Sequence, residues 1–188
     1  MKGKINWFGL AGGILIVSVV LISVFVPWWQ LIVGDNLVSA SASPINTSFS
    51  FVGSHFTIPL ILALNIASLV SLTAGGIVML IYSVKPDKEY SKRLLGFAYK
   101  KPLYSVLLFV IGLFLITVLV KSFFSFDVPL IGATTTQLPS DMTSGIIVRV
   151  LMSAGFQWPF YLAILATGLC IAARFYQNKL VPTEHLKY

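Results

Sequence analysis

Four stretches of the chain carry apolar residues almost without polar interruption: Ile5 to Val26, Ile58 to Val84, Leu103 to Val120 and roughly Val148 to Ala173. Each reaches the length of about 18 residues needed to cross a hydrocarbon core of about 30 Å as helix. The pattern predicts an all-α membrane protein, a four-transmembrane-helix bundle with a small extracytoplasmic β-sheet formed by two outer loops. The helices are expected at about 5–27, 58–84, 103–122 and 148–175, the outer loops at 28–57 and 123–147, the cytoplasmic loop at 85–102 and a cytoplasmic tail at 176–188. No polar segment is long enough for a separate soluble domain, so residues 1–188 read as one membrane domain.

Punctuation at the helix ends refines this. Pro59, Pro102 and Pro159 each precede an apolar run, where the missing N–H would be unpaired in any case, and Thr57 is a candidate cap for the second helix. From Phe160 to Ala173 there are only 14 residues, about 21 Å of helix. The fourth span therefore needs Ile146 to Phe156 as well, either as helix kinked at Pro159 or as a segment lying flat at the outer interface. The kinked helix is favoured, because "IIVRVLMSAGF" is apolar on nearly every face and Gly155 lies one turn before the proline. The first run exceeds a signal-peptide core of 7 to 15 residues, and Pro27, Trp28 and Trp29 separate it from any small-residue cleavage site, so it reads as a retained helix.

Between the runs, "QLIV", "NLVSASAS" and "SFSFV" alternate apolar and small polar residues and break at turn residues, the pattern of short antiparallel strands. A three-stranded meander is expected in the first outer loop and one or two β-prone pieces around Val128 to Gln137 in the second. Three small strands are marginal alone, so the two loops are expected to pack together or against a partner.

Composition agrees: 57% of the 188 residues are hydrophobic and 10% are charged, against about 25% charged in a soluble domain. The net charge of +7 comes from 13 basic and 6 acidic residues. Lys2, Lys4, Lys85, Lys88, Lys92, Arg93, Lys100, Lys101, Arg174, Lys179 and Lys187 fall on one side of the expected spans, and Lys121 and Arg149 on the other. By the positive-inside rule both termini are cytoplasmic in a multi-pass protein of the cell membrane. The charge marks topology and gives no reason to expect nucleic acid. The segment "KPDKEYSKRLLGFAYKK" also places basic residues where anionic lipid would lie.

Trp7 at the inner end of the first helix and Trp28 and Trp29 at its outer end are candidate interface anchors, since indoles favour the headgroup level. Ala63, Ala67, Ser71 and Gly75 on the second helix, and Gly9 and Gly13 on the first, recur at four-residue spacing as candidate helix-packing seams. Asn65, Ser68 and Gln157 are the candidate intramembrane polar groups. They serve either to pair across the bundle, Asn65 with Gln157 for example, or to line a small polar cavity open to the outer side. Asn46 opens an "NTS" sequon on the expected outer side, a candidate glycosylation site.

Candidate chemistry is otherwise sparse. No acidic residue lies inside an expected span, His55 and His185 lie on opposite sides of the membrane with no metal-ligand spacing, and Cys170 stands alone at membrane depth. No catalytic set, metal site or cofactor is expected. The expected partners are the lipid bilayer and other membrane protein subunits or a second copy. Four spans, both ends inside, a larger first outer loop of strands opening just after Trp28 and Trp29, and a smaller second loop resemble the claudin-type tetraspan layout. The resemblance covers architecture over most of the chain, and no functional residue is carried over from it. Two function classes follow. The first is a non-catalytic accessory subunit or adhesion-type tetraspan; the second is a small transporter, channel or membrane enzyme using the polar cavity.

Overall fold

The structure is a computed structural model, and it describes residues 5–34, 38–45, 47–51, 54–56, 59–88, 90–124, 128–137 and 149–180. It is mostly helical with a small antiparallel sheet. In chain order the elements are α1 (Trp7–Ile22), β1 (Trp29–Val33), β2 (Val38–Ala42), β3 (Thr47–Phe51), β4 (Ser54–Phe56), α2 (Pro59–Val84), α3 (Ser91–Phe124), β5 (Gly132–Gln137), β6 (Arg149–Phe156) and α4 (Trp158–Leu180). Over Pro59–Val84, Ser91–Ser122 and Trp158–Gln177 three helices are long and apolar enough to cross a membrane. The 16 residues of α1 span about 24 Å. This helix stops at Ile22 instead of continuing to Pro27, because Ser23 to Phe25 form a turn and Pro27 has no N–H with which to continue.

The chain divides into two compact units. The first comprises Met1–Ile22, Ala67–Leu107 and Tyr161–Tyr188, and the second Ser23–Ile66 and Leu108–Phe160.

The first unit is helical. Gly13 of α1 meets Gly76 of α2 so closely that a Cβ on Gly13 would lie 3.2 Å from the Gly76 carbonyl oxygen and 2.7 Å from Leu80 Cδ2. Small residues at such crossings let two backbones approach and gain dispersion contacts that larger side chains would prevent. On α3 the residues preceding Pro102 are helical, which corrects the expectation of a loop over 85–102 and of a helix opening at Pro102. Ser91, Leu95, Ala98 and Pro102 are all buried, at the spacing of one helix face. That stripe continues the apolar run backwards through the basic segment. Pro102 lies inside α3, and its ring packs on Gly75, where a Cβ would stand only 2.5 Å from Pro102 Cδ.

The second unit is built on a six-stranded antiparallel sheet of order β4-β3-β2-β1-β6-β5. The strands expected in "QLIV", "NLVSASAS" and "SFSFV" are β1, β2 and β3, with the short β4 added. The piece expected near Gln137 is β5. The segments on either side of α2 and α3 thus share one sheet, joined where β1 pairs with β6 at Leu31↔Ala154 and Val33↔Met152. Alternate residues point into the core: Trp29, Leu31 and Val33 of β1, Ala40 and Ala42 of β2, and Val150, Met152 and Ala154 of β6 are buried.

β6 corrects the fourth helix. Neither a kinked helix nor a flat interfacial segment forms at 149–156; burial alternates residue by residue from Arg149 to Ala154, as a half-covered strand requires. The exposed apolar Leu151 disguises that alternation in the sequence. α4 then opens at Trp158, places Pro159 in its first turn where no N–H is needed, and runs on to Leu180, so that 176–180 is helix and not tail.

Candidate functional site

In the second unit the tryptophan pair forms a core. Trp28 is 0% and Trp29 1% exposed. Trp28 stands edge-on to Phe109 with ring centroids 4.9 Å apart and 5.9 Å from Phe160. Phe160 in turn stacks on Phe156 at 4.2 Å. Each indole N–H is used inside the protein: Trp28 Nε1 donates to Ser23 Oγ at 2.7 Å and Trp29 Nε1 to the Leu130 carbonyl at 2.8 Å. Trp28 also binds strand to helix start, its N–H donating to Ala42 O and its carbonyl accepting from Gln157 N. The anchor reading of Trp28 and Trp29 is therefore corrected. A ring serving the membrane interface must present its edge to headgroups, and these rings are enclosed by protein. Trp7, 67% exposed, and Trp158, 50% exposed, keep a free ring surface; Trp158 was not among the sequence candidates.

Gln157 is the residue between β6 and α4, not a residue inside a helix. Its carbonyl accepts the Phe160 N–H at 3.0 Å as the first turn of α4 begins. The expected pairing with Asn65 assumed that both amides lay on helices at one depth, and this placement removes that basis. Asn65 is buried in α2, and no buried side-chain nitrogen or oxygen among the described residues lacks a hydrogen-bond partner.

In the first unit the buried polar groups form a chain that starts at Asn6. Its Oδ1 accepts the Gly9 N–H at 3.1 Å, capping α1 as asparagine commonly does at this position. Its Nδ2 donates to Tyr82 Oη at 2.8 Å and to the Ala173 carbonyl at 3.0 Å. The Tyr82 hydroxyl donates to Gln177 Oε1, and Gln177 Nε2 donates to the Pro86 carbonyl at 3.1 Å. Asn6 and Tyr82 are 0% exposed. One amide thus ties the start of α1 to the end of α2 and the last turns of α4, with both of its protons directed at partners in the chain. The sequence reading missed Asn6, Tyr82 and Gln177. The available signal was Asn6 itself, a capping residue directly before an apolar run.

Ser68 pairs with α3, its hydroxyl 3.0 Å from the Ser105 carbonyl and 2.7 Å from Ser105 Oγ. Of the expected seams, Gly9, Gly13 and Gly75 are buried at close helix crossings, Ser71 is half-buried, and Ala63 and Ala67 are exposed. The α2 seam is used only from its middle onward. Asn46 lies outside the described residues.

Among the described residues no group of three or more His, Cys, Asp or Glu side chains is placed to hold a metal ion. Asn6, Tyr82, Gln177, Ser68 and Ser105 are uncharged and mutually paired, an arrangement suited to holding helices in register. No protein-family model matches the sequence, and no curated protein matches it.

Proposed function

We propose that the chain is a non-catalytic four-span membrane protein with both termini cytoplasmic. In this reading it is an accessory subunit of a membrane complex or a scaffold of the claudin-type tetraspan layout, acting through its outer sheet and helix faces. The carrying observation is β5. It lies at the edge of the sheet, paired with β6 on one side, and Ile131 to Thr135 are exposed without the alternation that a covered strand would have. Its sequence, "GATTTQ", bears no charge and no proline, whereas free edges are normally blunted by one or the other. Among the described residues no strand pairs with the outer edge of β5, and an uncharged edge of this kind suits a partner that completes the sheet or covers its face. The internal pairing of the buried polar groups supports the same reading, since it leaves them committed to structure.

The test is a photo-crosslinking residue at Thr135 in native membranes, with Lys121 as the comparison site. One discrete adduct at Thr135, recovered with near-stoichiometric protein in mild detergent, is the expected result. A chain that gives no adduct there and behaves as a lone monomer contradicts the proposal.

A further inference from the structure

The helical lead of α3 carries a feature that the proposed function leaves unused. Gly96 is half-buried, and a Cβ built there meets nothing within 4 Å. The residues one turn to either side of it on the helix surface are Lys92 and Arg93 before it and Tyr99 and Lys100 after it. Lys92, Arg93 and Lys100 are exposed, opposite the buried stripe of Ser91, Leu95, Ala98 and Pro102. Beside the notch Phe97 is exposed with the Lys101 ammonium 5.0 Å from its ring centroid, and Tyr104 is exposed one turn beyond Lys100. No acidic residue occurs anywhere in α3. Gly168 of α4 also stands in open space, but its neighbours Ile164, Leu165, Ile171 and Ala172 are uncharged. The combination of open glycine and three surrounding cations therefore belongs to Gly96.

Glycine weakens a helix interior and is used where a ligand must come close to the backbone. Arginine offers a planar fork that fits two phosphate oxygens, and lysine a mobile point charge. The apolar run that follows, 103–120, is long enough to cross the hydrocarbon core. Lys100 and Lys101 therefore fall at its edge, with their side chains leaning back toward the helix start and so toward the headgroups. Phe97 and Tyr104 are placed to lie among the glycerol esters, where aromatic rings are favoured.

We propose that the Gly96 notch, flanked by Lys92, Arg93 and Lys100, binds the phosphate headgroup of an anionic phospholipid. This rests on the membrane-embedded part of the proposed function and on nothing else in it.

The test uses the full chain reconstituted in phosphatidylcholine bilayers with spin-labelled phosphatidylglycerol or spin-labelled phosphatidylcholine as probe, reading the protein-bound fraction of each. The wild type is expected to prefer phosphatidylglycerol by at least about threefold, weakening in high salt. Arg93→Gln with Lys100→Gln should bring the preference close to one. Lys121→Gln with Arg149→Gln, an equal loss of charge elsewhere, should leave it intact. Gly96→Leu changes no charge and favours helix, so it should lower the preference without lowering thermal stability. An unchanged preference in Gly96→Leu, or an equal loss in the two charge-matched pairs, overturns the notch. Displacement of the bound probe by millimolar inorganic phosphate overturns it too, in favour of a soluble anion, and so does probe binding only in the presence of an acidic partner protein. Extraction of the chain from membranes by alkaline carbonate would defeat the membrane reading itself, separately from any lipid preference.

Discussion

Trp28 and Ser23 are joined by a 2.7 Å hydrogen bond from the indole nitrogen to the hydroxyl, both side chains being buried. The bond closes the turn after α1 and places the indole edge-on to Phe109, so the residue that looks most like a membrane anchor is the centre of a protein core. Replacing Trp28 by alanine should cost about 3–5 kcal/mol, the usual range for a large buried aromatic. Trp7→Ala should stay within about 0.5 kcal/mol, as exposed positions do. Thermal unfolding in detergent ranks the two; a larger loss for Trp7 would return Trp28 to the interface.

Asn6 should be as sensitive as any residue of the first unit. Asn6→Leu removes a helix cap worth about 1 kcal/mol and two buried hydrogen bonds at about 0.5–1.5 kcal/mol each, a loss of about 2–4 kcal/mol. Gln177→Leu should act in the same chain. The double variant should cost less than the sum of the singles, because both lose the same route through Tyr82. Additive losses would show that the contacts are independent.

Two helix glycines should respond to alanine with opposite signs. At Gly168, where added atoms meet nothing within 4 Å, alanine should raise stability by about 0.5–1 kcal/mol through backbone entropy alone. At Gly75 the new Cβ would stand 2.5 Å from Pro102 Cδ, and overpacking of this kind typically costs about 1–3 kcal/mol. Equal gains at both positions would mean that α2 and α3 do not meet at Gly75.

Ser68→Ala removes the donor to the Ser105 carbonyl while leaving Ser105 Oγ without its partner, a loss of about 1–3 kcal/mol. Adding Ser105→Ala should recover part of it, since deleting both partners of a buried pair is milder than deleting one. The check is again the unfolding temperature, and a double variant worse than Ser68→Ala would contradict the pairing.

The parts legible in the sequence are those written as long uniform patterns. The apolar runs locate α2, most of α3 and much of α4, and the alternation in "QLIV", "VSASA" and "TSFSF" locates β1, β2 and β3. What escaped depends on tertiary context. In β6 the exposed Leu151 stands where a polar residue would have revealed the period of two, so a half-buried strand read as a uniformly apolar helix. The lead of α3 hides its stripe at Ser91, Leu95 and Ala98 under six basic residues between 85 and 101. Trp28 and Trp29 follow an apolar run, as interface anchors do, and only tertiary packing encloses them, Trp28 against Phe109 and Phe160 and Trp29 beside the Leu130 carbonyl. Gln177 looked like tail because α4 continues through polar residues, held there by Tyr82 and the Pro86 carbonyl. Asn6 stands directly before an apolar run, the position of a helix cap.

The proposed topology has four crossings, with α1 counted as a span despite its 16 residues. Cysteines introduced singly at Ile5, Lys88, Thr135 and Lys179, all exposed, and probed with a membrane-impermeant thiol reagent in sealed cells and in opened membranes, test this directly. The native Cys170 is buried and makes a quiet background. With four crossings, Thr135 is labelled in sealed cells, and Ile5, Lys88 and Lys179 are labelled only after opening. Labelling of Ile5 in sealed cells together with Thr135 would leave three spans and contradict the proposed topology.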